Sequence, residues 1–228
     1  MRLAKDRIDI GLATNDLEPM LRFWREEAGL PFDHRLRIRA GRDQYRHDAL
    51  GSVVKINHQA EPLPATPPSG YRELIIAREG LQVPHALADP DGNLVRLARP
   101  GVDGVDQIGV RLAVRSLGAH RRFYREVLGL AETPWRRGAA FRAGRSVLLV
   151  EEAPDAPSDA EMAGKGWRYI TFQVFKVDED HIRALGMGAR EAMAPVTLGA
   201  TARISMIRDP DGNWIELSQR ASIVGSLT

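Results

Sequence analysis

The sequence predicts an α+β fold assembled from repeated strand–helix–strand–strand–strand modules, and three observations carry that prediction. The pentapeptide Asp-Pro-Asp-Gly-Asn occurs twice, at residues 89–93 and 209–213, and each copy precedes a short apolar-alternating run (Leu94 to Leu97, and Trp214 to Leu217). Pro presets φ, the Asp side chains bond nearby N–H groups and Gly accepts positive φ, so each copy is a turn feeding a strand. Positions across residues 8–30 also reappear 100 residues later: Ile8 with Ile108, Leu17 with Leu117, Phe23 with Phe123, Leu30 with Leu130. Within each copy the apolar spacing changes from period two to helical spacing. Such self-similarity marks an internal duplication.

The elements follow in order. Residues 7–13 and 107–113 alternate as strands. Leu17, Leu21, Trp24 and Ala28 then share one helical face, with Asn15 or Asp16 as N-cap and Gly29 past the end; Ser116 takes the cap position in the second copy. Pro-rich stretches at 59–70 and 153–166 divide each half into an earlier and a later module. The later modules open at Gly70-Tyr71-Arg72-Glu73 and Gly166-Trp167-Arg168-Tyr169, 96 apart, whereas the turns lie 120 apart, so the second half holds a 24-residue extra segment. That segment contains residues 177–186, a short helix with an acidic first turn that the first half lacks. Residues 99–106 join the halves, which gives domains at 1–100 and 105–220.

Bulk properties bound the function. Lys plus Arg (32) nearly balances Asp plus Glu (30), for a formal charge of +2, which argues against a nucleic-acid partner despite a pI near 9.1. The absence of cysteine removes disulfides, thiol nucleophiles, Cys-ligated zinc and Fe–S clusters. No stretch approaches a transmembrane span, so no membrane partner is expected and a cytoplasmic location is. A homodimer is left open.

The string 209–217, its fainter copy at 89–97, and the Phe-Tyr-x-x-x-Leu-Gly-Leu at 123–130 resemble the vicinal oxygen chelate superfamily, which includes glyoxalase I, the extradiol dioxygenases, fosfomycin-resistance enzymes and bleomycin-resistance proteins. The resemblance implies tandem βαβββ modules forming two cup-shaped curved sheets with helices on their outer faces. It also implies ligand positions for metal-using members: Gly109, Tyr169 and Glu216 in the second half, Asp9, Glu73 and Arg96 in the first. One carboxylate in the second half does not hold a divalent cation, Arg96 brings a fixed positive charge, and no histidine falls on any of these positions. No metal ligand set is therefore assigned and no cofactor is expected. A divalent metal stays open if modules pair across the halves, because that would place Asp9 and Glu216 in one site.

Strand parity proposes what lines the cups. Ile170, Phe172, Val174, Ile215 and Leu217 pack under the helices, while Arg111, Tyr169, Thr171, Gln173, Trp214 and Glu216 look into the concave face. Glu216 is the candidate general base and Tyr169 the candidate donor to a carbonyl or enolate oxygen; Arg111 would anchor an anion, Trp214 would stack on a planar ligand, and Thr171 and Gln173 would bind substrate. A second cup would hold Asp9, Lys55, Glu73 and Arg96 as a salt-bridge plug. The six histidines are read as surface or capping residues, and the Arg-rich hairpin at 35–42 as a solvated strand face that could rim an anion pocket. The function expected is acid–base chemistry, of lyase or isomerase type, on a small oxygenated anionic metabolite. A non-catalytic small-molecule binding or resistance protein and a metal-dependent dioxygenase or glyoxalase-like enzyme with atypical ligands are the alternatives.

Overall fold

The computed structural model describes residues 1–227. The first module is β1 (Leu3–Thr14), α1 (Leu17–Arg22), β2 (Phe32–Arg39), β3 (Arg42–Ala49) and β4 (Ser52–Gln59). The second is β5 (Tyr71–Ala77), β6 (His85–Ala88) and β7 (Leu94–Ala98), with no helix among its described residues. The third repeats the first: β8 (Ile108–Val114), α2 (Leu117–Arg122), β9 (Ala131–Trp135), β10 (Gly138–Ala143) and β11 (Ser146–Glu152). The fourth is β12 (Gly166–Val174), α3 (Val177–Gly186), β13 (Arg190–Leu198), β14 (Ala202–Arg208) and β15 (Trp214–Arg220), followed by α4 (Ala221–Val224). The extra helix of the second half thus forms where the acidic first turn places it.

The modules pair across the halves. An eight-stranded sheet runs β13-β14-β15-β12-β1-β4-β3-β2 and curls into a half-barrel; it joins the first module to the fourth. A seven-stranded sheet, β6-β7-β5-β8-β11-β10-β9, joins the second to the third. The central pairs are antiparallel, with Asp9 opposite Thr171 in the larger sheet and Glu73 opposite Arg111 in the smaller. Neither sheet is confined to residues 1–100 or to 105–220.

The two turns hold this cross-pairing in place. In each, the first Asp carboxylate accepts from the backbone N–H of the third and fifth residues and from the Asn side chain. The Asn side-chain oxygen is then left to reach across halves: Asn213 accepts from Gly70 N–H (2.7 Å) and Asn93 from Trp167 N–H (3.2 Å). Gly70 has no room for a Cβ, which would sit 2.7 Å from the Ala113 carbonyl oxygen.

The apolar rows behave as parity predicts: Ile8, Ile10, Leu12, Leu74, Val110, Ile170, Phe172, Ile215 and Leu217 all lie in one core with the helices. Helix α1 departs from the expected face. After Arg22 the chain widens into a π-helical turn (Phe23–Glu27), and the buried residues are Met20, Phe23, Trp24 and Ala28 rather than Leu17 and Leu21. The Ala28 and Leu30 N–H groups reach back to the Phe23 and Trp24 carbonyls, and Trp24 and Ala28 stay buried through the widened turn as expected. Asp16 occupies the N-cap position without a side-chain cap bond, whereas Ser116 does accept from Ala119 N–H (3.3 Å).

Candidate functional site

Curling the larger sheet leaves a cleft of about 530 Å³ on its concave face. Its floor carries Gln44, Lys55, Asn57, Tyr169, Met206, Glu216 and Ser218; its rim carries Leu36, Ile38, Leu63, Met162 and Leu198. Apolar walls around a few convergent polar groups suit a small-molecule ligand. The rim comes from long outer strands, β2 and β13, and from the Pro-rich stretches between modules.

Four adjacent strands place one chemical group each at the bottom. The Lys55 ammonium donates to Thr171 Oγ1 at 2.6 Å and to Glu216 Oε1 and Oε2 at 3.2 and 3.3 Å. It also lies 5.2 Å from the centre of the Tyr169 ring. Asp9, fully buried, accepts from Lys5, from Val53 N–H and from Gln173. Burial would raise the Asp9 pKa, but Lys5, Lys55 and Arg46 hold it below the usual carboxylate range. Burial lowers the Lys55 pKa, against the pull of Glu216 and Asp9.

Tyr169 fits because Gly11 stands opposite it: a Cβ on Gly11 would fall inside the phenol ring. Its oxygen accepts from Asn57 Nδ2 (3.3 Å) and Gln44 Nε2 (3.4 Å). A phenol offers two acceptor sites and one donor, so its proton is left for a ligand, with no acceptor for it among the described residues. Burial drives its pKa up from the ordinary phenol value, with Glu216 adding to the effect, so it stays protonated.

The cleft is electropositive. Arg42, Arg46, Lys55 and Arg220 line it against Glu216, with Asp9 just behind. Among the described residues, Arg42, Arg46 and Arg220 make no salt bridge. Arg46, only 4% exposed, spends one nitrogen on Gln44 Oε1 (2.7 Å) and leaves its buried Nε without a partner. The Arg220 Nε is likewise buried and unpartnered, and burial followed by the nearby Arg46 charge lowers its pKa. Two guanidinium groups with unspent donors in one cleft call for an anion.

The concave face of the smaller sheet is filled by its own side chains. Val105, Ile75, Val147 and Leu149 fill one part of its concave face, and a Cβ on Gly109 would meet Val105 Cγ2 at 2.6 Å. The rest is an ion-pair network: Glu73 with Arg96 (3.3 Å) and Arg111 (3.4 Å), Arg96 with Asp103 (3.0 Å), and Arg111 with Glu151 (3.2 Å). A depression of about 540 Å³ beside it, bounded by Tyr71, Arg72, Arg111, Glu151 and Trp167, holds the Arg111–Glu151 and Lys165–Asp91 ion pairs.

The structure therefore regroups the residues singled out in the sequence. Glu216, Tyr169, Thr171 and Gln173 do share a site, but Asp9 and Lys55 join them rather than Glu73 and Arg96. Arg111 lies in the other sheet, because β8 pairs with β5 and not with β12. Trp214 does not line the cleft: its indole N–H donates to the Ala160 carbonyl (2.7 Å) and Arg208 lies 4.2 Å over its ring. Thr171 and Gln173 form the layer that fixes Lys55 and Asp9. Gln44, Arg46, Asn57 and Arg220 were missed; parity on β3, β4 and the end of β15 was the signal that could have found them.

The histidines also need correction, since His47, His120 and His181 are buried. His120 bonds the Ser116 carbonyl (2.8 Å) and faces Asp209, whose carboxylate also accepts from Tyr124. His181 meets Glu191 (2.8 Å), and His47 sits edge-on to Phe32 with neither ring nitrogen partnered.

Cross-pairing does bring Asp9 and Glu216 into one sheet, but it brings Lys55 with them. A divalent ion of the kind the resemblance implies does not fit this donor set, because an ammonium already takes the Thr171 and Glu216 oxygens. Among the described residues no three His, Asp or Glu side chains are grouped to hold a metal. No helix among them is long and apolar enough to cross a membrane.

Comparison with known proteins places this geometry. The family model described as Glyoxalase/Bleomycin resistance protein/Dioxygenase superfamily matches residues 104–217, half of the chain. Glyoxalase I from Zea mays superimposes with a TM-score of 0.72 at 14% identity, covering 96% of this chain and 95% of that one. A mutant of the same maize enzyme gives 0.75, also at 14% identity with 96% and 95% coverage. A putative dioxygenase from Bacillus subtilis gives 0.69 at 12% identity, covering 93% and 84%. At these identities the likeness is one of fold. No curated protein matches the sequence.

Proposed function

The chain belongs to the Glyoxalase/Bleomycin resistance protein/Dioxygenase superfamily, and on that premise we propose that its larger sheet binds a small oxygenated carboxylic acid and moves a proton on it, in lyase or isomerase fashion. The observation that carries this reading is that Arg46 and Arg220, each with a buried, unpartnered Nε and neither in a salt bridge among the described residues, stand in the same cleft as Glu216 and the unspent phenol proton of Tyr169. A carboxylate on Arg46 and Arg220 offsets the excess positive charge and fixes the ligand for a bidentate contact. The adjacent carbonyl or hydroxyl then lies over the floor. Glu216, 8% exposed, takes the proton from carbon, and Tyr169 donates to the oxygen on which charge develops.

Lys55 keeps Glu216 fixed, which preorganises the base. Proton transfer then depends on the charge that Tyr169 and Lys55 stabilise on the substrate oxygen, the term that usually dominates such reactions.

The test uses a panel of short 2-hydroxy and 2-oxo carboxylic acids, with binding read by calorimetry and exchange of the carbon-bound proton read by NMR in D₂O. Arg220→Met should abolish binding. Glu216→Gln should keep binding and stop exchange. Tight binding with no exchange by the unaltered protein overturns the catalytic reading and leaves a sequestering protein; binding that survives loss of both arginines overturns the anion site.

A further inference from the structure

We propose that the Lys55 ammonium is the resident cation of this cup: it stands where a divalent ion would have to sit, and its removal opens a cation site between Asp9, Thr171 and Glu216. The order of the strands carries the inference. The middle of the larger sheet reads β15-β12-β1-β4, and these strands contribute Glu216, Thr171, Asp9 and Lys55 in turn. Asp9 faces Thr171 across the central antiparallel pair, and Glu216 stands beside Thr171 on the next strand. Three oxygen-bearing groups thus stand side by side on three neighbouring strands, with the Asp9 carboxylate held by Lys5, Val53 N–H and Gln173.

Lys55 starts one strand further out, in register with Gly11. Two strand spacings are about 10 Å, more than its side chain spans on a flat sheet, so the curl of the cup must bring the ends together. With no side chain on Gly11 and the Tyr169 ring lying in that place, the lysine stem crosses β1 over an aromatic face. Its ammonium arrives on oxygens only: Thr171 Oγ1 at 2.6 Å and both Glu216 carboxylate oxygens at 3.2 and 3.3 Å. A hard, compact cation on a carboxylate and a hydroxyl, with a second carboxylate behind, is what an oxygen-ligated divalent ion would also demand. A tethered ammonium differs in two respects. It cannot dissociate, and its charge is single, so it orients and polarises a ligand oxygen less strongly than a metal but needs no loading.

This goes beyond the acid–base reading and is tested without turnover. The chain and its Lys55→Glu variant are stripped with chelator, checked for folding by circular dichroism, and titrated with MnCl₂ and ZnCl₂ by calorimetry. The unaltered chain should bind neither ion stoichiometrically. Lys55→Glu should bind one equivalent, and adding Glu216→Gln should abolish it. One equivalent bound by the unaltered chain and lost in Glu216→Gln overturns the proposal, as does a folded Lys55→Glu that gains no binding. Should Lys55→Glu fail to fold without metal, Lys55→Ala gives an independent reading. Methylammonium should raise its melting temperature in a saturable way and leave that of the unaltered chain unmoved, while tetramethylammonium, too large for the vacated place, should do nothing. Absence of that selective rescue also overturns it.

Discussion

Removing either member of the Lys55–Glu216 pair should cost far more than removing both. The ammonium lies 3.2 Å from the carboxylate, with side-chain exposures of 3% and 10%. At an effective dielectric of about 20, two unit charges at that distance attract by roughly 5 kcal/mol. Much of this offsets the desolvation of two ions, so the pair as a whole contributes little net stability. Glu216→Leu leaves the ammonium buried with only Thr171 as a direct partner, a loss of about 3 kcal/mol. Lys55→Met leaves a carboxylate that still sees the cleft, a smaller loss of about 2 kcal/mol. The double variant removes both charges and restores apolar packing, so its cost should be within about 1 kcal/mol of zero, for a coupling energy of about 5 kcal/mol. Urea unfolding of the four proteins followed by circular dichroism gives each value, with the slope checked for constancy. Additive single losses, within about 0.5 kcal/mol, would refute the reasoning, because the two groups would then not be interacting in a desolvated place.

Two further outcomes are expected. Gly11→Ala should displace the Tyr169 ring, which a Cβ there would overlap, costing about 1–3 kcal/mol by overpacking and weakening ligand binding along with it; urea titration and calorimetry check both, and unchanged values would show that the ring does not depend on the gap. His47 gives a pH dependence. Burial, with Arg25 nearby, lowers its pKa from 6.5 to about 4, so the fold needs it neutral, stability is complete above the unfolded value and is lost as the pH falls from 6.5 towards 4. The full loss is about 3 kcal/mol by linkage. His47→Leu should flatten that arm of the stability curve, and an arm that survives the substitution would assign it to another group.

The parts of this fold that a linear reading captures are those whose causes are local. The turns at 89–93 and 209–213 form because Asp, Pro, Gly and Asn each meet a need within five residues, and α3 forms where an acidic first turn precedes an apolar spacing. Strand parity is equally local, and it places Tyr169, Thr171 and Glu216 on one face correctly. Partner choice is not local. Every module offers the same alternating rows, so nothing in the period of β1 distinguishes β5 from β12 as its neighbour. That one ambiguity moved Arg111 away from Glu216 and brought Lys55 towards it. The π-helical turn after Arg22 leaves no mark in the apolar spacing, because Trp24 and Ala28 stay buried through it.

Cross-pairing also decides which cup stays open. The trimmed second module contributes its outer strand β6, four residues long, to the smaller sheet, whose other edge β9 has five. The larger sheet combines two complete modules, the first and the fourth, and its edges β2 and β13 run to eight and nine residues. Long edges on a curled sheet rise into walls, and residues from both, Leu36 and Ile38 on one side and Leu198 on the other, stand at the rim of the cleft. Short edges cannot do this, and the concave face they leave is covered instead by Val105 and by the Glu73, Arg96 and Arg111 network. Had the modules paired within halves, each cup would have had one short wall. By pairing across them, the chain concentrates its losses in one sheet and keeps the other whole, so the charge left unbalanced in that sheet, on Arg46 and Arg220, has a place to receive a ligand.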